Sequence, residues 1–299
     1  AILSVILLFQ PYITLILPQK RSKCLTRNHP CLMVAQILHI NNAFAHAEIS
    51  LFGGHILSFK PKHDNRERLW VSPNALFDSS KAIRGGIPVC WPWFGAHKST
   101  PDLAAHGYVR TQTWDILNTE ETDTGTTISL KPQTSAGDGL EGNAQLTLVV
   151  RVGQQLNIQL RTTNLGDAPL TFNCALHSYF AISNIKQCEL LGLSEQYSDK
   201  TRDYRLFDTP KPYRFHEETD RVHLEKPSTL SIVDEQVETN ILSSGHDSIV
   251  VWNPWQEKSI SMNDMTNDSY LTMLCVETAI TQSLTVNASE THILEQIIV

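Results

Sequence analysis

Apolar and polar residues alternate along most of the chain from Met33 onward, the period of half-buried strands rather than of helices. Residues 145–152 read QLTLVVRV and residues 156–163 read LNIQLRTT. Gly153-Gln154-Gln155 separates them, so the pair predicts a hairpin, ended by Asn164-Leu165-Gly166-Asp167. The same pattern predicts strands over 47–59, 126–131, 170–181, 248–252, 270–278 and 283–288. Turn-formers punctuate the gaps at 123–125, 136–139, 243–246 and 263–264. No long amphipathic helix stands out, and there is no strand–helix–strand rhythm. The expected fold class is all-β, one large antiparallel sandwich over residues 33–299.

The first 17 residues, AILSVILLFQPYITLIL, break this pattern. They are almost all apolar, with Gln10 and Pro11 inside, at the short edge for a membrane span. Lys20, Arg21 and Lys23 follow the run, whereas a secretory signal carries its charges before it. If the run inserted, those charges would hold the remainder on the cytoplasmic side. The reading favoured here sets residues 1–32 outside the domain, with Met33 as its natural start.

Composition narrows the partners. The chain has 299 residues and a formal net charge of −7, which argues against nucleic acid, whose binding needs a basic surface. Six cysteines form no Cys-x-x-Cys pair, and in a chain this long they read as buried thiols rather than a disulfide framework. A cytoplasmic, monomeric protein is expected, with no membrane contact by the domain.

Several segments could carry chemistry. Residues 84–95, RGGIPVCWPWFG, combine two adjacent glycines, two prolines and three aromatics. They read either as a loop packed across the core or as a pocket wall, with Trp91 and Trp93 facing a sugar ring and Arg84 at the rim. Residues 105–110, AHGYVR, add His106 and Arg110. Guanidinium forks match phosphate oxygens in a bidentate way, although most arginines are simply solvated. His177 lies in the apolar run ALHSYF and Glu277 in CVETA. Each is either a satisfied core residue or half of an acid/base pair, because a buried carboxylate must be paired. Nucleotide-binding glycine loops and the nucleophile elbow Gly-x-Ser-x-Gly are absent, and no histidines stand at zinc-ligand spacing. No metal is expected.

RGGIPVCWPWFG, AHGYVR, LHSYF, VVWNPW and CVETA, in this order, resemble the hexose-6-phosphate mutarotases, the glucose-6-phosphate 1-epimerase branch of the aldose 1-epimerase superfamily. The resemblance runs from about Ala43 to the C-terminus, taking in GGHILSFKP at 53–61 and FHEETDRVH at 215–223. It implies a galactose-mutarotase-like β-supersandwich with no cofactor and a sugar phosphate as the partner. It also implies that His177 is the general acid, Glu277 the general base, Arg84 and Arg110 the phosphate ligands, and Asp220 a sugar contact. Some relatives carry Gln before the His of the HG-x-x-R motif, where this chain has Ala105. The expected reaction interconverts the α and β anomers of a hexose 6-phosphate, glucose 6-phosphate first, by opening and closing the ring. Two other readings stand beside it: a mutarotase for unphosphorylated hexoses, and a non-catalytic sugar-phosphate sensor on the same fold.

Overall fold

The computed structural model describes residues 7–9, 13–16, 35–235 and 237–299. Two eight-stranded antiparallel sheets meet in one core, and a third, five-stranded meander continues it. One of the large sheets, here the supporting sheet, runs Cys188–Leu191, Thr229–Asp234, Val237–Ser244, Thr291–Ile298, Leu156–Asn164, Ala144–Val152, Gly125–Pro132, Trp114–Thr122. The other, the site sheet, runs Arg205–Asp208, Gln196–Asp199, Thr219–His223, Ser248–Asn253, Met273–Val286, Leu170–Leu176, Val89–Cys90, with Tyr179–Ala181 also paired to Met273–Val286. The all-β supersandwich implied by the resemblance is the observed architecture.

The predicted hairpin is present: Leu156–Asn164 pairs Ala144–Val152 in continuous register, and its inward column Leu156, Ile158, Leu160 is buried in the same core as the site sheet's Leu176, Leu274 and Val276. Burial of each such side chain contributes roughly 1.5–3 kcal/mol. Three predicted strands differ. The 47–59 run breaks into Ala45–Ser50 and His55–Pro61, because Gly53 and Gly54 take φ of 86° and 56° and turn the chain. The 270–278 and 283–288 runs are one strand, Met273–Val286, whose polar middle bulges between the pairs Cys174–Ile280 and Phe172–Leu284 and is held by Asp247, which accepts from the Thr281 and Gln282 N–H groups at 2.9 and 3.1 Å. The 170–181 run is interrupted at His177-Ser178.

The five-stranded meander includes Leu7–Phe9 and Ile13–Ile16, two stretches of the segment set apart in the sequence. Ile13–Ile16 pairs antiparallel with Ile37–Ile40, so the edge of the sheet does not coincide with residue 33; an open strand edge takes a further strand. The basic cluster at Lys20, Arg21 and Lys23, with Cys24 and Cys31, lies outside the described residues. The other four cysteines, Cys90, Cys174, Cys188 and Cys275, are buried free thiols. No helix among the described residues is long and apolar enough to cross a membrane.

Candidate active site

Alternation sorts the site sheet into two faces. Ile249, Val251, Leu274 and Val276 point into the main core, while their neighbours Val250, Trp252, Cys275 and Ala279 point to the other side. On that far face Cys90, Ala175, Val250 and Ala279 form one small cluster, and Trp70, Tyr179, Trp252, Met265, Met273 and Cys275 form a second. Glu277 follows the same parity as Cys275 and Ala279. It therefore carries a carboxyl onto the far face, where it is only 1 % exposed.

His177 reaches the same place through register. Leu176 pairs with Thr278 and Tyr179 with Cys275, so the pairing carries through the strand interruption and sets His177 opposite Glu277. Gly86 and Pro88 of the RGGIP segment hold the other side of the interruption. Pro88 O accepts from the His177 N–H at 3.0 Å, and Gly86 O from the Tyr179 N–H at 2.9 Å. Gly86 sits at φ 59°, and a Cβ there would overlap Ile56 O. His55, beneath it, holds Gly85 O at 2.6 Å through Nε2.

His177 Nε2 lies 3.4 Å from Glu277 Oε1. Burial drives both toward their neutral forms. It pulls the His177 imidazole well below its usual range, helped by His106, Arg110 and Arg84, and pushes the Glu277 carboxyl well above its own against the pull of Lys200 and Arg110. The Oε2 atom of Glu277 is buried with no hydrogen-bond partner among the described residues. A buried carboxyl oxygen left open in this way is costly in a purely structural residue.

Above the pair lies a cleft of about 180 Å³, walled by Phe94, His106, Tyr179 and Trp252 and edged by Arg84, Lys200, Lys258 and Asp220. Each cation has an acidic partner. Arg84 Nη2 and Lys81 Nζ both meet Asp264 at 3.3 Å, Lys200 meets Asp220 at 3.0 Å, and Lys258 meets Glu218 at 2.5 Å. Arg84 Nη1 also donates to the Tyr179 hydroxyl at 2.9 Å, while that ring stacks on His177 with centroids 4.9 Å apart. His106 Nδ1 accepts the Gly95 N–H at 3.3 Å, and burial with Arg110, Lys200 and Arg84 lowers its pKa to about 3. The ring is then neutral, its proton is on Nε2, and it offers a hydrogen-bond donor at the cleft wall.

The structure thus brings His177, Glu277, Arg84, His106 and Asp220 to one cleft. Arg110 stands apart from its wall: Nη2 donates to Ala105 O at 2.8 Å, although its charge acts on His106, His177 and Glu277. The pocket-wall reading of Trp91 and Trp93 is corrected. Trp91 is fully buried in the main core, and Trp93 is buried beside His97 and Tyr108. Pairing of Val89–Cys90 with Ala175–Leu176 directs this stretch into the core, and Phe94 is its aromatic at the cleft. Tyr179 and Trp252 belong to motifs already quoted, HSYF and VVWNPW, and could have been singled out there. Lys200 and Lys258 carried no local signal.

His177, Cys275 and Glu277 place their donor atoms within 4.8 Å of one another, a spacing that could admit a metal ion. Arg84, Arg110 and Lys200 surround them with positive charge, which opposes a cation and suits an anion.

The sequence model of the family described as Aldose 1-epimerase matches residues 36–298. An Escherichia coli (strain K12) protein named "Putative glucose-6-phosphate 1-epimerase" is 36 % identical over 239 residues, covering 78 % of this chain and 79 % of its own. A protein of the same name from Cenchrus ciliaris is 33 % identical over 249 residues, covering 78 % and 74 %. The crystal structure of a "putative mutarotase" from Salmonella typhimurium is similar with a TM-score of 0.86 and 27 % identity, covering 99 % of this chain and 96 % of that one.

Proposed function

The chain belongs to the aldose 1-epimerase family, and on that premise we propose that it interconverts the α and β anomers of a hexose 6-phosphate, glucose 6-phosphate above all. The observation that carries this reading is the His177–Glu277 pair, 3.4 Å apart at the floor of a cleft edged by Arg84, Lys200 and Lys258. Relatives at 33–36 % identity bear the name of that activity.

The pair shares one proton in effect, and ring opening needs one proton moved at each of two oxygens. With His177 as imidazolium and Glu277 as carboxylate, Glu277 takes the proton of the C1 hydroxyl while His177 gives one to the ring oxygen. The C1–O5 bond breaks and C1=O1 forms. Both side chains are then neutral, the state that burial favours. Rotation about C1–C2 presents the other face of the aldehyde, and the reverse transfers close the ring. Each positioned group supplies roughly 10²- to 10⁴-fold. The neutral His106 donates a hydrogen bond to a sugar oxygen, and Asp220, held by Lys200, accepts one.

Arg84 meets the phosphate at the cleft edge. Lys200 and Lys258 add charge there, and Arg110 acts from behind His106. An acidic protein thereby gathers positive charge locally for a dianionic substrate. The test is NMR exchange between the anomers of glucose 6-phosphate. The chain should accelerate it and a Glu277→Gln protein should not; exchange at the buffer rate with the wild-type chain would refute the proposal. Binding of glucose 6-phosphate without faster exchange would identify a sensor instead.

A further inference from the structure

The strand Thr291–Ile298 sends Leu294, Gln296 and Ile298 into the core between the two large sheets, and all three are fully buried. An amide in the middle of an apolar column is costly unless each of its groups is satisfied. Gln296 is satisfied entirely from the opposite sheet. Its Nε2 donates to Thr278 Oγ1 at 2.8 Å and to Val276 O at 3.3 Å, and its Oε1 accepts from Ser178 Oγ at 2.5 Å. Because Val276 O can only accept, the amide orientation is fixed, and Ser178 must be the donor.

These partners have one property in common. Ser178 follows His177 in the chain, and Val276 and Thr278 flank Glu277. The contact sits at the strand interruption, where the ladder supplies only the bond from Val276 N–H to Ser178 O at 3.2 Å. Thr278 Oγ1 also meets Ser243 Oγ at 2.8 Å, which ties the cluster further to the supporting sheet.

We propose that Gln296 is a positioning residue for the acid/base pair: by clamping Ser178, Val276 and Thr278 from behind, it fixes the spacing of His177 and Glu277 on the far face. This rests on the reading of that pair as the proton-transfer groups. Misplacement of reacting groups by about 1 Å can cost on the order of 100-fold in rate, so a clamp at this point is felt in kcat.

The test compares wild type, Gln296→Met, Ser178→Ala and, as a control, Asn164→Ala. Asn164 is another buried core amide, donating to Ala168 O and Val286 O, and Val286 lies at the far end of the strand that carries Glu277, about 30 Å of extended chain away. All are assayed for glucose 6-phosphate anomer exchange below their melting temperatures. Gln296→Met should lower kcat roughly 10- to 100-fold while KM stays within about threefold. Ser178→Ala should lower kcat less, and the double variant should fall no further than Gln296→Met. Asn164→Ala should lose thermal stability and keep its kcat. Unchanged kcat in whichever of Gln296→Met and Ser178→Ala folds overturns the inference, and so does an equal kcat loss in Asn164→Ala. If the wild-type chain does not accelerate exchange, the proposed function fails instead. The NMR signals of the His177 ring then decide: displacement by Gln296→Met or Ser178→Ala but not by Asn164→Ala upholds the clamp, and no displacement overturns it.

Discussion

His177 Nε2 and Glu277 Oε1 stand 3.4 Å apart across the interrupted pairing of the site sheet, and burial moves their proton affinities in opposite directions, down for the imidazole and up for the carboxyl. The imidazole becomes a weaker base and the carboxyl a weaker acid, so burial draws an imidazolium–carboxylate pair toward its neutral form, with one proton passed between the two side chains. Two groups that hold that proton in turn can exchange the roles of acid and base within one catalytic cycle.

Such a pair acts as a unit. Glu277→Gln and His177→Asn should each lower kcat for anomer exchange by about 10²- to 10⁴-fold, and the double variant should be little worse than the poorer single one. NMR exchange rates on the three proteins measure this. Fully additive losses would mean that the two side chains contribute independently and do not share a proton.

The burial that tunes Glu277 should weaken the fold. Its carboxyl is pushed above the unfolded value, so the unfolded chain releases that proton first, and the stability it contributes falls as pH rises above about 4.5. Glu277→Gln should therefore melt higher than wild type at pH 8, with the difference shrinking toward pH 4.5, while activity is lost. The histidines act with the opposite sign. Burial first, with Arg110 among the minor causes, lowers His55 to about 4; burial also lowers His223 to about 3, with Arg221 adding to it. The unfolded chain takes protons there below about pH 6.5, and each group removes roughly 1.4 kcal/mol per pH unit until its folded value is reached. Urea midpoints should fall between pH 6.5 and 4.5, and a flat profile there would contradict the burial of these rings.

How far the site was legible follows from the same residues. The hairpin 145–163 and the parity of Glu277 among apolar neighbours are local patterns, so they could be read directly. His177 was visible as a histidine in an apolar run, but its meeting with Glu277 depends on a register set by strands a hundred positions apart. The aromatic segment at 84–95 announced itself, yet its composition could not say that Trp91 faces the core and Phe94 the cleft. Lys200 and Lys258 are two lysines on a short 3₁₀ turn and a seven-residue helix; the pairing of Thr219–His223 with Ser248–Asn253 brings Asp220 to the cleft beside Lys200, with Glu218 next to Lys258. The strand Thr291–Ile298 was not among those predicted, and the partners of Gln296 lie at 178, 276 and 278, so nothing local pointed to it.

Backbone shape around His106 is itself testable. Gly107 has φ 75° and bridges to Trp91, and a Cβ there would overlap Trp91 O. Gly107→Ala combines a strained dihedral with a backbone clash and should cost at least about 2 kcal/mol in denaturant unfolding. Because His106 precedes it, KM for the sugar should rise in the folded fraction. A substitution tolerated within about 0.5 kcal/mol, the level of an ordinary surface change, would mean that the bridge to Trp91 does not hold this loop.

Substrate selection gives the sharpest division among the cleft residues. Arg84 offers a guanidinium to the cleft while Asp264 and the Tyr179 hydroxyl hold its orientation, so its loss removes a pre-aimed charge rather than a mobile one. Hydrogen bonds to a charged group contribute roughly 1.5–3 kcal/mol, and Arg84→Ala should accordingly raise KM for glucose 6-phosphate about 10- to 100-fold. Exchange of unphosphorylated glucose, which has nothing to offer that charge, should change little. Arg110→Ala should raise KM less, since Arg110 does not line the cleft and its Nη2 is engaged by Ala105 O. KM for the phosphosugar should also climb with ionic strength in wild type and less so in Arg84→Ala. Equal losses with both sugars would place Arg84 in the support of Tyr179 and His177 rather than at the phosphate, and the substrate would then be an unphosphorylated hexose.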